Sequence, residues 1–154
     1  MKKSFVKSNC LAEVKLSYRS KISPRERPSI QSATDAFKII RPLFSDDSIE
    51  HYENVVVLLL NRANKVLGWM QVGSGGLNSC VIDVRIVMQA AINSNASGII
   101  LAHNHPSGNL KASQDDLNIT KKVKEAAKLF DINLLDHLIV TTDGYYSLSD
   151  AGLM

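Results

Sequence analysis

The 154-residue chain contains only two cysteines, no aliphatic run longer than the six residues VVVLLL at 55–60, and no internal repeat or low-complexity block. Each absence excludes something. Cys10 and Cys80 could close at most one bridge, and neither stands beside another cysteine or a histidine, so both read as small, buried or half-buried side chains rather than metal ligands. A membrane-spanning helix needs about 20 apolar residues, far more than this sequence offers in one place. The first residues, MKKSFVKSNCLAEVKL, have the lysines of a secretory signal but no apolar stretch behind them. The expectation is a cytoplasmic protein without a membrane partner, in a compartment where a disulfide would not persist.

What is present is ordinary for a globular domain: 45% hydrophobic and 21% charged residues, in a length that suits one domain with its own core. The net charge of +3 hides an asymmetry. Residues 1–28 hold eight Lys or Arg against two acidic residues, net +6, leaving ten against thirteen, net −3, for residues 29–154. Such a basic end could touch nucleic acid. Its charges are scattered, however, and no aromatic platform is interleaved with them, so a solvated strand and linker over residues 1–31 is the simpler reading.

Periodicity then divides the chain. Ala12, Val14, Leu16 and Tyr18 alternate with polar residues, which predicts a half-buried strand over 11–19. After the polar connector SKISPRERPS, SATDAFKII reads as a helix capped at Ser32 and ending near Pro42. Residues 54–60 read as a buried strand, 61–64 as a turn, and 65–72 as its antiparallel partner, which the glycines of GSGG should break. Trp69 and Met70 would fall on this strand, either at an edge or in the core. Asp83 can cap a helix to about Asn93 that buries Ile86, Val87 and Ala90. SGIILAH returns as a strand, and a helix over 114–130 would turn Leu117, Val123, Ala127 and Phe130 inward. Strands at 134–141 and 145–148 complete an α/β or α+β pattern.

The chemistry gathers in ILAHNHPSGNLKASQDDLNIT, residues 100–120. On an extended backbone residues i and i+2 share a face, so His103 and His105 can present two imidazoles together. Neutral imidazole suits zinc, and a carboxylate from elsewhere would complete the three-ligand set of hydrolytic zinc sites, with the fourth position left for water. Asp116 is the candidate. Read alone, SQDD is a helix start in which Ser113 caps and Asp116 reaches back; capping and metal binding need not exclude each other.

The joint spacing of two histidines, a serine and an aspartate resembles the JAMM motif of the MPN (JAB) metallopeptidase family. ILAHNHPSG, SQDD and LLDHLIV are together similar to the bacterial RadC-type JAB domain, over roughly residues 53–152. The resemblance implies a central mixed, curved sheet flanked by helices in a cytidine-deaminase-like architecture, over a single domain at 32–154. It implies one zinc ion on His103, His105 and Asp116, with Ser113 helping to bind an oxyanion. It also implies a glutamate general base at the start of an upstream strand, a role for Glu53, with Glu50 as the competing residue. Zinc-dependent hydrolysis of a peptide or isopeptide bond in an unidentified protein substrate would follow. Longer RadC proteins carry a helix-hairpin-helix module, whereas the 52 residues before Glu53 contain no glycine and hence no such hairpin, which weakens a DNA-repair or nuclease reading. A catalytically silent scaffold is the third alternative, disfavoured by the retained ligand set. His137 reads as a satisfied structural histidine, His51 as surface decoration, Asn104 and Ser107 as turn-shaping residues, and Arg85 as a solvated cation.

Overall fold

The run VVVLLL is apolar on both faces because both faces of its strand are covered. Strand β1 (Asn54–Leu60) is buried from Val55 onward. Val55, Val57 and Leu59 enter one hydrophobic cluster, and Val56, Leu58 and Leu60 enter another on the opposite side of the sheet. The computed structural model describes residues 11–76 and 81–154; Cys10 and Cys80 lie outside the described residues.

Among the described residues, five strands form one mixed sheet. β2 (Val66–Ser74) pairs antiparallel with β1, which pairs antiparallel with β3 (Gly98–Asn104). β3 runs parallel to β4 (Asn133–Val140), and β5 (Tyr145–Ser147) closes the far edge antiparallel to β4. The spatial order is β2-β1-β3-β4-β5. Helix α1 (Ala33–Ile40) contributes Ala36 and Ile40 to the cluster on one face. Helices α2 (Val84–Asn93) and α3 (Gln114–Lys128) supply Val87, Ala91, Val123 and Ala127 to the cluster on the other. This is the α/β pattern expected from the alternation of elements, in the form of the mixed sheet with flanking helices that the resemblance implies. Gly98 belongs to that packing: a Cβ there would stand 2.9 Å from Leu135 Cδ1, closer than two carbons tolerate.

The expected helix caps are in place. The Ser32 side chain accepts from the Asp35 amide, and Asp83 from the Arg85 amide. Four expectations need correction. Residues 11–19 form no strand, and Leu11, Val14 and Leu16 are largely exposed; alternation selects a face but supplies no ladder partner. The Tyr18 hydroxyl donates to the Leu67 carbonyl (2.6 Å), tethering this segment to β2 without extending the sheet. β2 continues through Gly73 and Ser74, paired with Val55 and Asn54 across a bulge, so the strand ends two residues beyond the expected Val72. In α2, Met88 and Ala91 are buried with Val87 and Ala90, while Ile86 is only partly covered. Phe130 is exposed because α3 ends at Lys128; the inner face is instead Thr120, Val123 and Ala127, spaced three and four apart.

β2 is an edge strand, with Trp69 and Met70 exposed on it. Residues ahead of α1 are tied to its start: the Ile30 amide donates to the Asn64 carbonyl and the Val66 amide to the Pro28 carbonyl. Among the described residues no helix is long and apolar enough to cross a membrane.

Candidate metal centre

Strand β3 lies in the middle of the sheet and points Ile99, Leu101 and His103 at the α2/α3 side. The strand ends at Asn104, yet the His105 amide still donates to the Val140 carbonyl (3.1 Å), so the alternation persists and His105 follows His103 on the same face. The chain then reverses through Pro106 and Gly108. Gly108 has φ +75°, where a side chain is strained, and its amide donates to the His105 carbonyl. The Ser107 hydroxyl oxygen and the Asn109 side chain accept amides at 109 and 111, the turn-shaping role expected of Ser107.

This loop places the first turn of α3 over the histidines. Ser113 and Asp116 form a reciprocal capping box: the Asp116 amide donates to Ser113 Oγ (3.1 Å) and the Ser113 amide to Asp116 Oδ2 (2.7 Å). The same carboxylate faces the imidazoles, with Oδ1 3.2 Å from His103 Nε2 and Oδ2 3.5 Å from His105 Nε2. The two Nε2 atoms are 2.9 Å apart. Capping and convergence on the histidines therefore coexist in one side chain.

Ligand atoms held tetrahedrally at about 2.0–2.1 Å from an ion stand about 3.3 Å from one another. The two Nε2 atoms at 2.9 Å, and His103 Nε2 and Asp116 Oδ1 at 3.2 Å, stand near that edge length, while the second carboxylate oxygen lies 3.5 Å from His105 Nε2; His103, His105 and Asp116 are the metal-capable cluster found among the described residues. Electron-rich atoms this close repel unless a proton or a metal ion lies between them. The titration of the group reflects this. Burial opposes ionisation of Asp116, but the imidazoles of His103 and His105 that face it overcome that effect and hold the carboxyl far below the usual carboxylate range. The Asp116 hydrogen bond in turn raises the pKa of His105 against burial, with help from the Asn109 carbonyl and the Glu53 charge.

The cluster forms one wall of an open cleft of about 650 Å³ that Glu53, Lys111 and Ser113 also line. Val55 pairs with His103 across the β1–β3 ladder, so Glu53, two residues upstream, shares that face and comes opposite His105. Glu50 lies elsewhere, exposed and accepting from the Thr142 hydroxyl (3.3 Å). Arg85 forms an exposed ion pair with Asp83, and His51 is exposed.

Two features were not visible in the sequence. Asn104 is fully buried and does more than shape a turn: its amide nitrogen donates to the Ile49 and Tyr52 carbonyls (2.7 and 2.9 Å), and its oxygen accepts from the Asn54 amide (2.7 Å). It thereby fastens the segment carrying Glu53 to the strand carrying the histidines. His137, expected to be merely structural, is fully buried with Nε2 2.8 Å from His103 Nδ1 and Nδ1 2.6 Å from Thr120 Oγ1. Burial, and then the nearby His103, push its pKa well below the ordinary histidine value. Thr120 lies one helical turn beyond Asp116, and that i, i+4 spacing was the one available signal. The pairing with His137 depends on parallel register, which no local pattern encodes.

Comparison with known proteins identifies the family. Residues 30–153 match the family described as RadC-like JAB domain. The chain is 44% identical over 124 residues to a UPF0758 protein of Flavobacterium johnsoniae, covering 80% of this chain and 53% of that one. It is 40% identical over 148 residues to a UPF0758 protein of Porphyromonas gingivalis, covering 94% and 63%. A UPF0758 protein of Aquifex aeolicus is 35% identical over 143 residues, covering 93% and 60%. The chain thus spans little more than half the length of these relatives. With a mixed sheet, a histidine pair at the end of its central strand and an aspartate on the following helix, the chain belongs to the RadC-like JAB domain family.

Proposed function

We propose that the chain is a zinc-dependent hydrolase of the JAMM type that cleaves a peptide or isopeptide bond. The observation that carries this reading is the convergence of His103, His105 and Asp116 on one point in the wall of a cleft that Glu53 also lines. Two imidazoles and a carboxylate form the donor set that suits zinc and leaves a coordination position open. A zinc ion held there would supply Lewis-acid polarisation and bring the pKa of water from 15.7 to about 7.

The chain's own residues supply the rest. Glu53 takes a proton from the attacking water and delivers it to the departing nitrogen, so that the C–N bond breaks as the new C–O bond is retained. The Ser113 oxygen accepts the Asp116 amide, which leaves its O–H free to donate to the oxygen that gains negative charge. The position of Glu53 opposite His105 supports it over Glu50 as the base.

Glu53→Gln separates proton transfer from metal binding. The variant keeps the ligand set, so it should bind zinc like wild type and lose turnover by about 10²–10⁴-fold. Incubation of both proteins with a cell-derived peptide and protein mixture, followed by mass spectrometry of new N-termini, should reveal products made by wild type alone. The same products at the same rate from Glu53→Gln would remove Glu53 from the mechanism.

A further inference from the structure

We propose that His137, backed by Thr120, is a positioning residue that fixes the proton of His103 on Nδ1 and so presents the Nε2 lone pair to the metal centre. This deepens the metal-centre reading above and rests on it. The hydrogen-bond chain behind His103 has only one consistent direction. It begins at the Asp116 main-chain carbonyl, which can only accept. Thr120 Oγ1 lies 2.5 Å away and spends its single proton there. The Thr120 oxygen must then accept from His137 Nδ1, at 2.6 Å.

His137 has no exposed surface, and its hydrogen-bond partners are a hydroxyl and another imidazole, not a carboxylate. A doubly protonated ring in such a place is an uncompensated buried charge. The ring therefore carries one proton, on Nδ1, and Nε2 is an acceptor. Facing it at 2.8 Å is His103 Nδ1, which has to donate. A neutral His103 protonated on Nδ1 has its lone pair on Nε2, the atom 3.2 Å from Asp116 Oδ1 and 2.9 Å from His105 Nε2. His105 reaches the same state by a shorter route, donating Nδ1–H to the Asn109 carbonyl at 2.6 Å.

The partner of one ring nitrogen decides which nitrogen is free for an ion, and such partners matter to affinity nearly as much as the ligands themselves. In water a neutral histidine favours the proton on Nε2, which here would aim an N–H at the ion. The relay reverses that preference. It also starts from the residue whose side chain is the third ligand, so the first turn of α3 sets both the carboxylate position and the proton order.

The test compares the 154-residue wild type, His137→Phe, His137→Gln and Thr120→Val. Long-range 15N–1H spectra of the metal-free proteins report which nitrogen of His103 is protonated, and competition with a chelator reports zinc affinity. Wild type should show His103 protonated on Nδ1. His137→Phe should lose that preference and bind zinc about 10–100-fold more weakly. His137→Gln, whose amide oxygen can accept the Nδ1 proton, should recover most of the affinity, a rescue that a purely space-filling role would not give. Thr120→Val, nearly isosteric, should weaken zinc by about tenfold. Wild-type His103 protonated on Nε2, or a folded His137→Phe with unchanged zinc affinity, would overturn the proposal; if His137→Phe does not fold, unchanged affinity in Thr120→Val does so. A wild type that binds no zinc at all defeats the metal-centre reading instead, while the ring spectra still report the relay.

Discussion

At the scale of single residues, the central fact is that Asp116 answers to two demands at once. It closes the capping box with Ser113 and turns the same carboxylate toward two imidazoles. The competition between a proton and a metal at that point has a calculable sign. His105 has a raised pKa because Asp116 accepts its hydrogen bond. In metal-free protein the stability contributed by this pairing is fully present below the ordinary histidine value of 6.5 and is lost as pH rises through the raised folded value. Zinc behaves oppositely, since it must displace that proton. Thermal unfolding of chelator-treated wild type and Asp116→Asn should differ most near about pH 5 and converge toward about pH 9, whereas zinc-loaded proteins should diverge as pH rises. A gap that widens with pH in the metal-free pair would contradict the assignment. The shared face of the two histidines and the cap formed by Ser113 and Asp116 were readable from local spacing, whereas their joint role as one site was implied by the family resemblance. The contact of His137 was not readable, because an aliphatic strand context says nothing about which imidazole lies on the neighbouring strand.

At the scale of elements, the site is a junction of β1, β3 and the start of α3, and Asn104 holds the first two together. Its three hydrogen bonds to the chain at Ile49, Tyr52 and Asn54 fix where Glu53 stands relative to His105. Asn104→Ala strands two carbonyls and one amide at a buried position and should destabilise the protein by on the order of 3 kcal/mol. Turnover should fall more than zinc affinity does, because the ligands stay on β3 and α3 while the base shifts. Chemical denaturation with zinc titration would check this; zinc affinity collapsing along with stability would show that Asn104 supports the ligands instead. Strands and helices with strong local signals, such as β1, α1 and α2, follow directly from apolar runs and caps. The misreadings occurred where a partner decides: the alternating residues 11–19 found no ladder, and Phe130 fell past the end of α3. Of the glycines after Val72, Gly73 was taken into the pairing with β1 past a bulge, and the strand ends before the other two.

At the scale of the whole molecule, the sheet carries two separate hydrophobic clusters among the described residues, and the side chains of the candidate metal centre emerge from the end of the one beneath α2 and α3. Residues 28–30 are fastened to the start of β2, while the basic segment before them contributes to neither cluster among the described residues. The part matched to the family, residues 30–153, contains both clusters among the described residues. An ion held by three residues from β3, its loop and α3 binds the folded chain and not the unfolded one, so it should raise the unfolding temperature in proportion to its occupancy. The most direct test of the whole account is the zinc content of wild type and Asp116→Ala purified without chelator and then titrated with zinc against a competing chelator. The account predicts one tightly held ion per wild-type chain and none in the variant; a wild type without zinc, or a variant that retains it with equal affinity, would contradict it.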